Sequence, residues 1–114
     1  MRKSNELIDD FYRMHKEFDF LQSLNFYRDT DEDIYSKCHL DVVLSNREAI
    51  EQKMAIHFSE VVDFKSANLG SLCGLLISII DVSADQLEGI KYRVKEDEYE
   101  LFSFCCKTFE FKLL

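Results

Sequence analysis

Proline and tryptophan are absent from this chain, and only three glycines and three histidines are spread over its 114 residues. Each shortage excludes something. Three glycines leave no glycine-rich phosphate loop, and Asn68-Leu69-Gly70-Ser71-Leu72-Cys73-Gly74 fits neither nucleotide-binding fingerprint. His15, His39 and His57 are dispersed, and the chain has no CxxC, HExxH or HxH pair, so no metal motif can be read and no cofactor is expected. Without proline, sheet edges need another guard, and charges such as Lys91, Arg93 and Lys95 are expected to supply it.

Long apolar runs are missing too. The longest, Leu75 to Val82, is interrupted by Ser78 and Asp81 and is far shorter than a bilayer span. Met1-Arg2-Lys3-Ser4-Asn5-Glu6 runs into Asp9 and Asp10, which is not the layout of a signal peptide. The expectation is a cytoplasmic protein with no membrane contact. Its cysteines, Cys38, Cys73, Cys105 and Cys106, are then reduced thiols, since the adjacent pair cannot easily bridge itself and no export signal is seen. Cys106 continues the alternation of Phe102 and Phe104 and reads as core.

What the chain has in plenty is acid and aromatic side chains. Twenty-two Asp and Glu against fourteen Lys and Arg give a net charge of −8, which repels nucleic acid and anionic membrane and attracts basic partners. The surplus is densest in Asp29-Thr30-Asp31-Glu32-Asp33 and in Glu96-Asp97-Glu98-Tyr99-Glu100. Ten Phe and five Tyr within a 46% hydrophobic composition suffice for the packed core of one domain over residues 1–114.

The patterning predicts an α+β fold. Leu7, Phe11, Met14, Phe18 and Leu21 recur at helical spacing behind Ser4 as N-cap, giving an amphipathic helix over about residues 4–24 within a helical region reaching residue 26, with His15 at its boundary. The segment Phe18-Asp19-Phe20-Leu21 also alternates as a strand, so a break near Phe18 is the other reading. From about residue 36 the period changes to two. Strands are read at His39 to Leu44, at Lys53 to Phe64 and, more fully buried, at Leu75 to Val82. Ile90 to Lys95 and Leu101 to Phe111 flank the acidic run Glu96 to Glu100 as a β-hairpin with a charged tip. Phe102, Phe104 and Cys106 then give way to Phe109, Phe111 and Leu113, so the apolar parity switches near Lys107-Thr108; a bulge or a segment covered on both faces accounts for it. The whole is an N-terminal helix and a largely antiparallel sheet of five or six strands, strongly bent or split into two layers.

No catalytic constellation emerges, and the chain is read as a non-enzyme. Asp29, Asp31 and Asp33 open like a calcium loop, but Ile34 stands where the turn needs glycine and Leu40 where the bidentate acid belongs. His57 reads as solvent-facing or singly hydrogen-bonded, and Cys73, between Gly70 and Gly74, is the thiol whose setting permits reactivity. An acidic adaptor domain for an unrelated basic partner, and a cysteine-based sensor, are the alternatives to the reading that follows.

Tyr27-Arg28-Asp29, the stretch Ile56 to Phe64, Ile79-Ile80-Asp81-Val82 with Gln86 to Tyr92, and Leu101 to Cys106 together resemble small bacterial immunity proteins. These accompany polymorphic or contact-dependent growth-inhibition toxins. The resemblance implies an acidic, cytoplasmic, non-catalytic protein that neutralises a cognate toxin domain by binding it, as a monomer or weak dimer when free. A nuclease toxin needs a basic cleft, which the acidic loops would face. The residues expected at that interface are Glu96, Asp97, Glu98 and Glu100, then Asp31, Glu32 and Asp33, with Tyr35, Tyr92 and Tyr99 as aromatic anchors.

Overall fold

The computed structural model describes residues 4–28, 37–66, 74–85 and 90–114. One N-terminal helix, α1 (Ser4–His15), is followed by β1 (Phe18–Arg28), β2 (Cys38–Asn46), β3 (Lys53–Ser59), β4 (Val62–Ser66), β5 (Ile77–Asp81), a single 3₁₀ turn (Ser83–Asp85), β6 (Tyr92–Glu96), β7 (Phe102–Cys106) and β8 (Thr108–Leu113). Two four-stranded antiparallel sheets result, in the orders β1-β2-β3-β8 and β4-β7-β6-β5. The α+β class stands, with eight strands among the described residues in place of five or six.

Three of the differences share one cause, the bending of strands. The helix stops at His15 and residues 18–28 form β1, so of the two readings of this segment the break near Phe18 is the one realised and the helical region reaching residue 26 is not. β1 carries register shifts between Phe18 and Phe20 and between Leu21 and Ser23. Each irregularity adds a residue to one strand and resets which face the following side chains take. Phe18 and Leu21 are therefore both buried although three residues apart, a spacing that imitates a helix. The expected strand from Lys53 to Phe64 is likewise two, β3 and β4, and the expected strand to Phe111 is β7 and β8.

The parity switch is the corner between the sheets. The register runs on across it, with Ser59 opposite Thr108 on one side and Val62 opposite Cys105 on the other. Between them Glu60 takes a left-handed φ of 55°, and its carboxylate reaches Lys37 at 2.9 Å and Lys107 at 3.7 Å. The Lys37 contact, helped by Lys107, holds the Glu60 carboxyl below its usual range. Both strands turn their apolar sets inward on each side of the bend, so Phe58 and Val61, and Cys106 and Phe109, are all buried. Phe109 then meets Phe58 from the first sheet, Tyr92 from the second and Phe11 from the helix, at ring-centroid distances of 6.2, 4.9 and 6.1 Å. Burial pushes the Cys106 thiol up to about 12, as befits a core cysteine.

Leu75 to Val82 is not the fully buried strand its composition implies. β5 is an edge of the second sheet, with Leu76 and Ile80 each 51% exposed. Helix α1 covers that edge with polar atoms. The Tyr12 hydroxyl accepts from the Ile79 N–H at 2.8 Å and donates to the Ile79 carbonyl at 2.9 Å. His15 Nε2 accepts from the Ile77 N–H at 2.9 Å, which leaves the ring proton on Nδ1 to donate to the Phe18 carbonyl, also at 2.9 Å. His15, expected at a boundary, is 4% exposed and ties α1 to β1 and β5.

Burial lowers the His15 pKa, against smaller opposing effects from the Phe18 carbonyl, Asp19 and Glu96. The folded chain thus binds fewer protons here than the unfolded chain, and stability rises with pH across the gap. The His15 contribution is complete above the unfolded value of about 6.5 and is lost as pH falls from there through the lowered folded value. Urea unfolding is expected to show lower stability at pH 5.5 than at 7.5. An NMR titration placing the His15 ring at or above about 6.5 would contradict this account.

Candidate functional site

The strands β6 and β7 form the expected hairpin, with Tyr92 opposite Cys106 and Lys95 opposite Ser103. Alternation along β6 sends Tyr92, Val94 and Glu96 inward and Arg93 and Lys95 outward. Two residues expected at an interface are thereby core: Tyr92 is 3% exposed and Glu96 only 1%. Composition cannot show this, because a glutamate at the start of an acidic run looks like the rest of it. The strand period, continued one position further than the apolar residues extend, is the signal that would have found it.

A buried carboxylate needs its lone pairs filled. Glu96 Oε2 accepts from the N–H groups of Leu76 and Glu98, both at 2.9 Å, and Oε1 from Tyr99 at 2.7 Å and Leu101 at 3.4 Å. Burial pushes this carboxyl up, but the four backbone donors together prevail and its pKa lies below the usual value. The carboxylate therefore serves as the internal frame of the hairpin tip. It fixes the loop backbone at Glu98 and Tyr99 and pins to it the segment leading into β5.

That frame orients the outer surface. Asp97, Glu98, Tyr99 and Glu100 are all exposed. Asp97 accepts a hydrogen bond from the Ser78 hydroxyl, and its N–H donates to the Leu76 carbonyl at 2.7 Å. Tyr99 is 40% exposed and Leu76 51% exposed, and their backbone N–H groups are held on the two oxygens of the Glu96 carboxylate. Leu76 was not foreseen; it enters the site because Glu96 bonds its backbone. Gly74, at φ 75°, makes the turn into this segment, and a Cβ there would stand 3.3 Å from Arg47 and 3.8 Å from the Tyr99 hydroxyl. Arg47 in turn pairs with Asp19 at 2.8 Å. Asp31, Glu32, Asp33 and Tyr35 lie outside the described residues, as does Cys73.

The outer face of the first sheet holds another polar group. Asp41, His57 and Glu110 sit opposite one another across β2, β3 and β8, with His57 Nδ1 2.5 Å from Asp41 and stacked on His39 at 5.5 Å between ring centroids. His57 is thus hydrogen-bonded to a carboxylate, on a row with Val43, Ala55 and Lys112 as neighbours. Among the described residues no three His, Cys, Asp or Glu side chains are grouped to hold a metal ion, and no helix is long and apolar enough to cross a membrane. The hairpin tip is a framed loop that exposes a tyrosine among three carboxylates, residue types suited to protein recognition.

Comparison with known families places residues 3–112 of the chain within the family model described as Immunity protein PIM8. Curated proteins and solved structures yield no match.

Two substitutions separate frame from surface. Glu96→Gln keeps the shape but sets an NH₂ group against two N–H donors in either amide orientation, and is expected to cost about 3 kcal/mol in urea unfolding. Glu100 sits at φ 54°, so Glu100→Gly should stabilise the chain by about 0.5–1 kcal/mol. A neutral Glu96→Gln would mean the carboxylate frames nothing.

Proposed function

Because the chain belongs to the PIM8 family of immunity proteins, we propose that it binds and neutralises a cognate toxin domain, a nuclease with a basic active-site cleft, through the β6–β7 tip. The observation that carries the proposal is the buried Glu96 carboxylate, which fixes the backbone of the exposed Tyr99 and Leu76 in the same loop region as the exposed acids Asp97, Glu98 and Glu100. A surface fixed before binding loses little freedom on binding. Tyr99 and Leu76 supply the apolar contact, and the three carboxylates attract and orient a basic partner.

Inhibition in this reading is stoichiometric occupation. The carboxylates take the places that nucleic-acid phosphates would hold in the toxin, and nothing is turned over. Tyr92 and Glu96 act from inside, so their loss would affect binding through the shape of the tip and not through direct contact.

Co-expression of the chain with the product of the gene immediately upstream tests the partner: co-purification together with survival of the cells is the expected result. A harmless upstream product that does not associate would remove the toxin reading in favour of an adaptor for another basic protein. With the partner in hand, replacing Asp97, Glu98 and Glu100 by Ser is expected to slow association several-fold at low salt and to flatten its dependence on ionic strength. Unchanged stopped-flow kinetics would take the tip out of the interface.

A further inference from the structure

Arg93 and Lys95, which the sequence offers as guards of a sheet edge, guard none: β6 is an interior strand between β5 and β7. Both side chains point outward from the second sheet. Lys65 of β4 joins them, because Lys95 lies opposite Ser103 and Ser103 opposite Lys65. Ser103 and Cys105, the outward residues between these cations, are short, and a groove of about 480 Å³ runs over them, bounded by Asp63, Lys65, Arg93 and Lys95.

The cations on this face are outside the ion pairs of the described residues. In a chain of net charge −8, Arg13, Lys37, Arg47 and Lys107 each hold a carboxylate, yet among the described residues Lys65, Arg93 and Lys95 form no ion pair, and neither does Asp63 beside them. Three cations grouped on short neighbours form a positive concavity on an acidic protein. We propose that this face takes an extended, carboxylate-rich segment of the toxin, an inference that rests on the toxin-binding reading above. The immunity protein then grips its partner by two faces of opposite sign, and that polarity admits a single orientation of the complex.

The spacing fits a strand-like segment. Arg93 and Lys95 are two residues apart on β6, about 7 Å, which matches carboxylates at alternate positions of an extended chain laid alongside. Nucleic acid fits less well. The adjoining groove, about 440 Å³, is lined by Asp97 and Glu100 as well as Lys65 and Lys95, which limits the positive stretch to a short run; a peptide with carboxylates at alternate positions can place its few charges there and neutral residues beyond, whereas a phosphate backbone carries charge at every nucleotide. The residues between the cations are the half-buried Ser103 and Cys105, and Phe104, which also lines the groove, is buried, so no ring stands free for base stacking.

Titration of the ¹⁵N-labelled chain with an alternating Glu-Ser decapeptide, and separately with a thymidine decamer, tests the chemistry without the toxin. Saturable amide shifts centred on Lys65, Arg93, Lys95, Ser103 and Cys105 are expected with the peptide. They should be lost in the triple variant Lys65→Glu, Arg93→Glu, Lys95→Glu and in its milder Ser counterpart, with the decamer binding at least tenfold more weakly. Shifts that are absent or scattered, or a decamer binding as tightly as the peptide, would overturn the proposal. Against the co-purified upstream protein, the Ser triple variant should bind at least tenfold more weakly. Unchanged affinity there would refute the basic face while leaving the tip in place, whereas failure of the wild-type chain to bind would refute the toxin reading itself.

Discussion

A charge cannot be buried without company, and the architecture around Glu96 follows from that constraint. The β6 alternation directs this side chain inward at the last position of the strand, where it is 1% exposed. Four backbone N–H groups converge on it, from Leu76, Glu98, Tyr99 and Leu101. Those donors belong to two separate stretches of chain, so one carboxylate sets both the curl of the hairpin tip and the path of the segment that enters β5. Apolar packing alone would leave either stretch free to slide; hydrogen bonds to a fixed anion permit one arrangement.

The same rule governs the opposite edge of β5. An edge strand presents unpaired N–H and C=O groups that recruit other chains unless something occupies them. Here the occupant is a helix, through the Tyr12 hydroxyl and His15 Nε2, which take the places a neighbouring strand would fill at Ile79 and Ile77. Phe11, on the same helix, reaches inward to Phe109. Helix α1 therefore joins the aromatic core to the polar closure of the sheet, which explains why a short helix of 12 residues is held in place at all.

The start of the helix, the β6–β7 hairpin and the change of parity near Lys107 were legible in the sequence because each is written in side-chain period. The end of the helix was written two ways: the alternation of Phe18 to Leu21 allowed the break near Phe18 that the structure has, while two register shifts in β1 put Phe18 and Leu21 on one face at a spacing of three and let the helical reading run on. Strand count failed for a related reason, since β3–β4 and β7–β8 are each continuous in apolar character through the corner at Glu60. At the site, the exposed acids of the tip were readable from charge. Glu96 and Tyr92 were misplaced because the residue types that bind partners are also those that can frame a loop from within.

Position, and not total charge, therefore decides what each ionic group does. Glu96 is an internal acceptor, Glu60 a clasp at the corner between Lys37 and Lys107, and Asp19 the counterion of Arg47 beside the turn at Gly74. Removing these three from the surface leaves an acidic tip at one end of the β6–β7 hairpin and a cluster of cations on its outer face. The net charge of −8 averages over both. A partner meeting this molecule responds to the local fields within about a Debye length, roughly 8 Å at physiological salt. At that range the hairpin presents acid at its tip and base along its flank, two fields of opposite sign that the net charge conceals.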